Sequence, residues 1–420
     1  MGTELRNIGE LIYDHRKKAG YTLDQLSALS GVPKGTISKI ERGKTKHPEL
    51  DTVLTLASSL SIPYPDVAYH YVDLEKRKSV LQEMLHEVVQ LSNTLVIKRI
   101  AERYLACEEE DSYDLTKELY SIALSVADTE VRLALFELIA GYARDHGIQP
   151  YVAKALFQKY LIEREDFSKL DITFQAGIYL LNYINFYSVE EKILLHFKVG
   201  YHAYVIQLYE QSIELLTYVS KEPKTDPLMR ARATLLICNS YYYLGDYFMA
   251  EQYLCTCKKY KYSEIQETVK LNEAVILGKK GYVEQAISQL RICLKHISPN
   301  NEIHVINELL KLYLQTKDIA LIEELISDES CILNGEYLTP FKKSELALYY
   351  KLKAEYYSLV KRYENAIDLY IKSAISYSKI RAHKDSNECF YSLFRLLSDE
   401  SVTVSVNTRL KEAYNLLRKS

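Results

Sequence analysis

Apolar residues recur at helical spacing along most of the chain, and at its start they do so in short stretches. Each stretch is separated from the next by a glycine or a proline, and the apolar sets are Ile8, Leu11 and Ile12; Leu23, Leu26 and Leu29; Ile37 and Ile40; and Leu50, Val53, Leu54, Leu56, Ala57 and Leu60. Residues three or four apart share one side of a helix, so each set predicts a helix with a buried side. The last set predicts a pair of short helices that ends at Pro63. Residues 1–70 are therefore expected to form a small helical domain.

The second and third of these helices have the signals of a helix-turn-helix. Thr22 and Gln25 have the spacing of a capping box, in which each side chain bonds the backbone N–H of the other residue. Gly31 follows the second helix and allows the sharp turn into the third. Ile37 and Ile40 are expected to pack inward, which leaves the polar residues of the third helix facing outward.

Cations are concentrated around the third helix. Between residues 34 and 46 a single acid, Glu41, stands among five cations, which are Lys34, Lys39, Arg42, Lys44 and Lys46. The whole chain has a net charge of only −3, so its net charge does not reveal this local excess of positive charge. A compact positive face attracts the phosphates of nucleic acid, and we interpret this helix as a DNA-recognition helix. The alternative is a helical bundle with a solvated charged face.

These residues resemble the lambda-repressor/Cro-type helix-turn-helix family, through Thr22-Leu-Asp-Gln-Leu-Ser, Ser30-Gly-Val and Ile37-Ser-Lys-Ile-Glu-Arg-Gly-Lys. The resemblance implies that Thr22, Lys44 and Lys46 hold phosphates of double-stranded DNA. It also implies a set of residues that face base edges, Lys34, Gly35, Thr36, Ser38 and Lys39, with Arg42 beside them. Where many members have a capping Ser or Thr before the recognition helix, this chain has Pro33, and Gly35 offers no side chain to a base.

Residues 71–92 are predicted to be a linker helix. They begin with a charged stretch after Asp73 and continue with apolar residues at helical spacing, Val80, Leu81, Met84, Leu85, Val88, Val89 and Leu91. Such a joint can transmit a change of shape, although a plain connecting helix would have the same pattern.

The rest of the chain, residues 93–420, repeats itself. The segments Gly245–Ala250, Gly281–Ala286, Arg362–Ala366 and Leu208–Ser212 align so that each ends in a small residue, and twelve residues earlier stand four more small residues, Cys238, Ala274, Ala354 and Gly200. Small residues where two helices cross are typical of tetratricopeptide (TPR) repeats. A degenerate repeat is expected around Thr316 and Ile322. Divergent helices are expected over 131–143 and 151–161, and a terminal pair over 386–397 and 406–417. The predicted fold class is all-α, a helix-turn-helix domain followed by a TPR-type solenoid.

By the resemblance to TPR arrays, the first helix of each pair lines the concave side. The inward positions then include Lys198, Tyr201, Arg232, Asn239, Tyr242 and Asn272. An asparagine amide both donates and accepts, so Asn239 and Asn272 can pair with the backbone of an extended peptide. TPR modules that bind peptides use asparagines at such positions, and Arg232 or Lys198 can take a carboxylate.

Other classes of protein find little support in the sequence. It has no His-Glu-x-x-His, no phosphate-binding glycine loop and no Gly-x-Ser-x-Gly, so we expect neither an enzyme nor a metal or cofactor site. The seven cysteines include no Cys-x-x-Cys pair, which favours reduced thiols in the cytoplasm. No apolar run of membrane-spanning length occurs, and no membrane partner is expected.

The order of the two parts resembles the peptide-pheromone-responsive regulators of Gram-positive bacteria and their phages, the group that includes Rgg, Rap, NprR, PlcR and PrgX, with NprR-like members nearest in size. The resemblance implies a cytoplasmic homodimeric transcription regulator whose DNA binding is switched by a short signalling peptide in the TPR groove, as in quorum sensing. The alternative that it leaves open is a peptide-gated, protein-binding inhibitor of a phosphorelay response regulator, which is the activity of the Rap members.

Overall fold

In the computed structural model the chain is described over residues 7–397, apart from residues 328, 330, 331 and 333. All regular structure in this part is helical, which confirms the predicted all-α class. The contacts divide the chain into two compact units. The first unit comprises the residues up to Glu165 together with Tyr179–Tyr187, and the second comprises Asp166–Ile178 and the residues from Ser188 onward.

The first unit begins with five short helices, α1 Ile8–Lys18, α2 Leu23–Ser30, α3 Lys34–Glu41, α4 Leu50–Ser59 and α5 Tyr64–Tyr71. The turn between α2 and α3 is made by Gly31, whose φ of 73° lies in the left-handed region that favours glycine. The predicted pair of helices before Pro63 is wrong, because residues 50–59 form one continuous helix. Pro63 instead caps the start of α5.

One apolar position predicted to be buried is exposed. Leu26 is fully buried in α2, whereas the Leu29 side chain is 58% exposed. Leu29 lies in the last turn of α2, just before the chain turns at Gly31. Val32, after the turn, is buried in the domain core where the pattern placed Leu29.

The first unit continues with five longer helices, α6 Lys78–Val89, α7 Thr94–Leu105, α8 Ser112–Ser125, α9 Thr129–Asp145 and α10 Gln149–Glu163, and with two 3-10 helices, Val72–Leu74 and Leu181–Phe186. The segment predicted as a linker helix contains α6, whose Leu81, Leu85 and Val88 are fully buried. A single apolar cluster runs from Ile8 to Ala155. The domain bounds predicted at residues 70 and 92 therefore fall inside one packed unit.

The second unit is a succession of antiparallel helix pairs. Its helices are α11 Leu170–Leu180, whose last two residues belong to the first unit, α12 Val189–Val205, α13 Tyr209–Lys221, α14 Pro227–Tyr243, α15 Tyr247–Cys257, α16 Ser263–Lys279, α17 Val283–Leu294, α18 Pro299–Thr316, α19 Ile319–Ile326, α20 Pro340–Leu359, α21 Tyr363–Lys379 and α22 His383–Leu397. The degenerate repeat is present as α18 and α19, with Ile322 fully buried. The terminal helix predicted over 406–417 lies outside the described residues.

The small residues lie where the helices of a pair come closest, as the repeat predicted. A Cβ atom on Gly200 in α12 would stand 2.8 Å from Cγ of Leu216 in α13, so only glycine fits there. In the next pair, Sγ of Cys238 donates to the backbone oxygen of Ala250 across 3.2 Å. Among the described helices, none is long and apolar enough to cross a lipid bilayer.

Candidate functional site

The DNA-recognition helix proposed from the sequence is α3, and its position is fixed by apolar packing and by the cap of α2. Ile37 and Ile40 are buried on its inner side. The backbone N–H of Gln25 donates to Oγ1 of Thr22 across 3.2 Å, and the backbone N–H of Thr22 donates to Oε1 of Gln25 across 2.8 Å. This capping box confirms the predicted start of α2. Pro33 precedes α3 and supplies no side-chain cap.

The outward residues of this region are accessible. Thr36 and Ser38 are half-buried, and the exposed residues are Thr22, Lys34, Gly35, Lys39, Arg42, Lys44 and Lys46. Side chains on the outer side of α3 and in the loop after it can therefore reach a ligand without displacing the core.

The acid counted among the cations of this region is not on its surface. The Arg16 guanidinium in α1 donates to both carboxylate oxygens of Glu41, each across 2.6 Å, and both side chains are about 5% exposed. Arg16 also donates to the backbone oxygen of Tyr21 across 2.9 Å. Glu41 thus ties α3 to α1. The hydrogen bond that Arg16 donates to Glu41 raises the pKa of Arg16 despite burial.

A different acid lies beside the recognition helix. Oδ2 of Asp24, in the first turn of α2, accepts from Nζ of Lys34 across 2.7 Å, and both side chains are more than half exposed. Asp24 is ten residues from Lys34 and lies outside the stretch in which the charges were counted. The turn at Gly31 brings the two together.

The second unit contains a cavity of about 490 Å³ between its helices. It is lined from α12, α14, α16 and α18, from the segment before α20 and from the start of α20. The lining residues are Tyr201, Tyr204, Val205, Leu235, Cys238, Asn239, Tyr242, Tyr243, Thr268, Leu271, Asn272, Val275, Ile276, Asn301, His304, Glu336, Leu338, Thr339, Phe341 and Lys342. The volume is in the range that encloses a drug-sized ligand or a few residues of a peptide.

Four of the six residues predicted to bind a peptide line this cavity, Tyr201, Asn239, Tyr242 and Asn272. The two asparagines lie on the neighbouring helices α14 and α16. Nδ2 of Asn272 donates to Oδ1 of Asn239 across 2.6 Å. The pair therefore presents one connected amide surface to the cavity.

The structure places the other two, Lys198 and Arg232, outside the lining. Lys198 is half-buried on α12. Arg232 lies in the early turns of α14, and its guanidinium pairs with Glu264 at the start of α16, with Nε 2.7 Å from Oε1. Both of these side chains are about half exposed. Arg232, which was predicted to bind a carboxylate of the peptide, thus pairs with the carboxylate of Glu264 instead.

The opposite wall of the cavity was not found from the sequence. His304 comes from α18, and Phe341 and Lys342 come from α20. The ring centroid of Phe341 lies 5.3 Å from that of Tyr204 and 5.8 Å from that of Tyr243. These residues belong to the degenerate repeat and to the helix after it. Counting the inward positions onward through that repeat could have identified His304, Phe341 and Lys342 from the sequence.

A buried ionic cluster underlies this wall. Nδ1 of His304 lies 3.2 Å from Oε2 of Glu345, and Nδ2 of Asn307 donates to the same oxygen across 2.9 Å. Burial alone would raise the pKa of Glu345, but the charges of His304 and Lys311 outweigh it and lower the pKa to about 2. Burial would likewise lower the pKa of His304, but the charge and hydrogen bond of Glu345, with the charge of Glu308, together raise it.

The phenols that line the cavity are held in the neutral form. Burial raises the pKa of Tyr204, Tyr242 and Tyr243 well above its usual range. Each hydroxyl therefore keeps its proton at neutral pH, and that of Tyr243 donates to Oε1 of Glu345 across 3.5 Å. Together with the amide pair and the apolar side chains, these groups suit a ligand that carries both backbone-like polar groups and apolar side chains.

Comparisons with known proteins bear first on the N-terminal helices. Residues 12–67 match the helix-turn-helix family model. Three curated proteins of Bacillus subtilis are similar to a part of this chain. The HTH-type transcriptional repressor RghR is 37% identical over 65 residues, which are 16% of this chain and 48% of that protein. The HTH-type transcriptional regulator SlrR is 38% identical over 55 residues, 13% of this chain and 36% of that protein.

The third, the uncharacterised HTH-type transcriptional regulator RghRB, is 37% identical over 59 residues, 14% of this chain and 42% of that protein. The chain thus spans less than half the length of each of these relatives. Each similarity extends over 65 residues or fewer, so it concerns only a small part of this chain.

Several solved structures are similar over longer stretches at low identity. A Rap protein complexed with Competence and Sporulation Factor is 11% identical with a TM-score of 0.40, over 77% of this chain and 98% of that one. The apo form of the quorum sensor NprR from B. thuringiensis is 12% identical with a TM-score of 0.37, and the match covers 91% of this chain and 99% of that one. Both superpositions are loose.

Proposed function

We propose that this chain is a sequence-specific DNA-binding transcription regulator whose DNA binding is controlled by a short signalling peptide bound in the cavity of the second unit. The observation that carries the proposal is the exposed polar and cationic surface on a helix-turn-helix. The match of residues 12–67 to the helix-turn-helix family supports it.

In this proposal, α3 enters the major groove of DNA. The residues facing base edges are Lys34, Thr36, Ser38 and Lys39, with Gly35 allowing close approach of the backbone. Thr22, Lys44 and Lys46 contact phosphates, and Arg42 lies between the two sets. Their exposure, and the burial of Ile37 and Ile40 behind them, support this division.

The peptide is proposed to lie extended along Asn239 and Asn272. The bond between the two side chains uses one donor hydrogen of Asn272 and one acceptor lone pair of Asn239. Asn239 also bonds the Tyr204 side chain, and Nδ2 of Asn272 lies 3.9 Å from Sγ of Cys238, so the peptide pairs with the amide groups that remain. Tyr201 and Tyr242 line the same cavity and supply donors and ring surface. Apolar side chains such as Leu235 and Leu271 offer contacts to the side chains of the peptide.

The chain is further proposed to act as a homodimer in the cytoplasm. One helix-turn-helix reads a half-site, so two copies must be held at a spacing of about 34 Å, or a multiple of it, along DNA. Sedimentation of the full chain, alone and with a DNA fragment, measures the number of copies in each state.

Electrophoretic mobility shift with genomic fragments tests the proposed function. A regulator gives sequence-selective shifts that weaken steeply as salt rises, because phosphate contacts release counterions. Adding short peptides to the shifted complex then tests the control by a peptide. Absence of any selective shift would overturn the proposal and would favour an inhibitor that acts on a protein partner.

A further inference from the structure

The loop between α3 and α4 carries Lys44 and Lys46, and its far end is bonded to the last residue of α5 and to the segment that follows. The hydroxyl of Tyr71 donates to the backbone oxygen of Pro48 across 3.0 Å, in a buried contact. One residue earlier, Nδ1 of His47 lies 3.2 Å from the backbone oxygen of Leu74. The loop is thus held directly after Lys46 by two bonds from outside the helix-turn-helix.

Glu75 fixes the segment to which the loop is fastened. Its buried carboxylate accepts from the backbone N–H groups of Lys76 and Arg77, both across 2.9 Å. The Arg77 guanidinium adds two further bonds, at 3.0 and 2.8 Å. The Tyr71 hydroxyl lies 3.4 Å from Glu75 and has one proton, which the shorter contact assigns to Pro48.

The same segment is attached to α7. Nε of Arg103 donates to the backbone oxygen of Glu75 across 2.8 Å, and Sγ of Cys107 donates to the backbone oxygen of Lys76 across 3.2 Å. Hydrogen bonds from α7 and from the residues just after it thus fix residues 75 and 76, and the backbone from there to Tyr71 connects them to the loop after the recognition helix.

We propose that Tyr71 and Glu75 are positioning residues for DNA binding, which hold the loop of residues 44–48 so that Lys44 and Lys46 reach phosphates. The inference rests on the proposed function and adds a determinant outside the helix-turn-helix. A lysine on a loop that is already held loses less conformational freedom on binding than one on a free loop. Neither positioning residue touches DNA, since both side chains are buried.

A double-mutant cycle on the full chain tests this, with Tyr71→Phe, Lys46→Ala and the double variant. Affinity for a fragment selected by mobility shift is measured by fluorescence anisotropy over a series of salt concentrations. Losing the hydroxyl bond is expected to weaken binding about three- to tenfold. The salt dependence should become shallower, by up to about 0.9 in the log–log slope for one phosphate contact. In the Lys46→Ala background, Tyr71→Phe should have a smaller effect, because only the phosphate contact of Lys44 then still depends on the position of the loop.

Two further variants separate positioning from general damage. Tyr69→Phe makes the same change in α5, at a ring that contacts the Arg99 guanidinium, and should leave affinity unchanged. Glu75→Gln should also weaken DNA binding. Combined with Tyr71→Phe in one chain, it should weaken binding no further than Tyr71→Phe alone. Thermal unfolding of each variant shows that the fold is kept.

The outcomes are distinguishable. Independent, additive effects of Tyr71→Phe and Lys46→Ala, or an unchanged salt slope in Tyr71→Phe, would overturn the positioning role alone. A wild-type chain that binds no fragment selectively would overturn the proposed function, and the positioning role with it.

Discussion

The side-chain amide of Asn272 donates a hydrogen bond to the side-chain oxygen of Asn239 across 2.6 Å, and this bond joins α14 to α16 at the wall of the cavity. The two residues are 33 positions apart and come from consecutive helix pairs. The orientation of each amide is therefore set by the other, and a ligand that bonds Asn239 depends on Asn272 as well. The two asparagines are expected to act as a unit in binding, so that their substitutions are not additive.

Replacing either asparagine by alanine should weaken peptide binding roughly five- to a hundredfold, because a buried hydrogen-bond partner left unpaired costs about 1 to 3 kcal/mol. Calorimetric titration with peptides selected from a random library on the wild-type chain measures this. Arg232→Ala is the control, since Arg232 lies outside the cavity and pairs with Glu264. Equal affinity of wild type, Asn239→Ala and Asn272→Ala would show that the peptide binds elsewhere.

Lys39 and Lys44 are expected to differ in what they recognise. Lys39→Ala should reduce the discrimination between operator and random DNA, by about 1 to 3 kcal/mol if Lys39 makes a good base contact. Lys44→Ala should instead weaken binding to both DNAs by a similar factor. Competition binding assays with the two DNAs measure the ratio of affinities. If neither variant changed binding, α3 and its loop would not be the DNA-binding surface.

Asp24→Asn is expected to strengthen DNA binding. The Asp24 carboxylate pairs with Lys34 and places a negative charge beside the recognition helix. An exposed pair is worth at most about 1 kcal/mol, so the gain should be no more than about fivefold. It should shrink as salt screens the charges. Anisotropy titrations at low and high salt measure this.

Asp145→Asn is the matched control for Asp24→Asn, because it removes an exposed carboxylate at the end of α9. A gain of the same size in Asp145→Asn would indicate a general effect of net charge rather than release of Lys34.

The local features of the helix-turn-helix could be predicted from the sequence, because caps, turns and apolar spacing depend on residues close together in the chain. The capping box at Thr22 and the burial of Ile37 are of this kind. The partner of Glu41 could not be predicted in this way. Arg16 precedes it by 25 positions, and only the packing of α1 on α3 brings them together. Glu41 therefore appeared to belong to the charged surface.

The cavity shows the same limit. The wall formed by α14 and α16 could be predicted, because the regular repeats place Asn239 and Asn272 at equivalent positions. Its opposite wall comes from α18 and α20, where the repeat is irregular and the spacing no longer gives the inward positions. Arg232 shows a further limit, because an inward position in the repeat does not exclude an ion pair with the neighbouring helix, here with Glu264.

Stability of the second unit is expected to depend on the protonation of His304. Burial and the charge of Lys311 lower its pKa, but the charge and hydrogen bond of Glu345 together with the charge of Glu308 outweigh them, so the pKa is raised in the folded chain. A raised folded-state pKa stabilises the fold fully below the unfolded pKa of about 6.5, and the contribution is lost as pH rises through the folded-state value. The stability of wild type relative to His304→Gln should therefore fall as pH is raised above about 6.5.

Chemical unfolding of wild type and His304→Gln, compared at each pH from about 6 to about 9, measures this dependence. His296→Gln is the matched control, because His296 is exposed at the end of the preceding helix pair. Its difference from wild type should change little over the same range. A constant difference between wild type and His304→Gln would mean that folding does not change the pKa of His304 and would contradict the prediction. A difference that grows as pH rises would mean that the imidazole is neutral in the folded chain. In that case Lys311 and Asn307, rather than His304, would stabilise the Glu345 carboxylate.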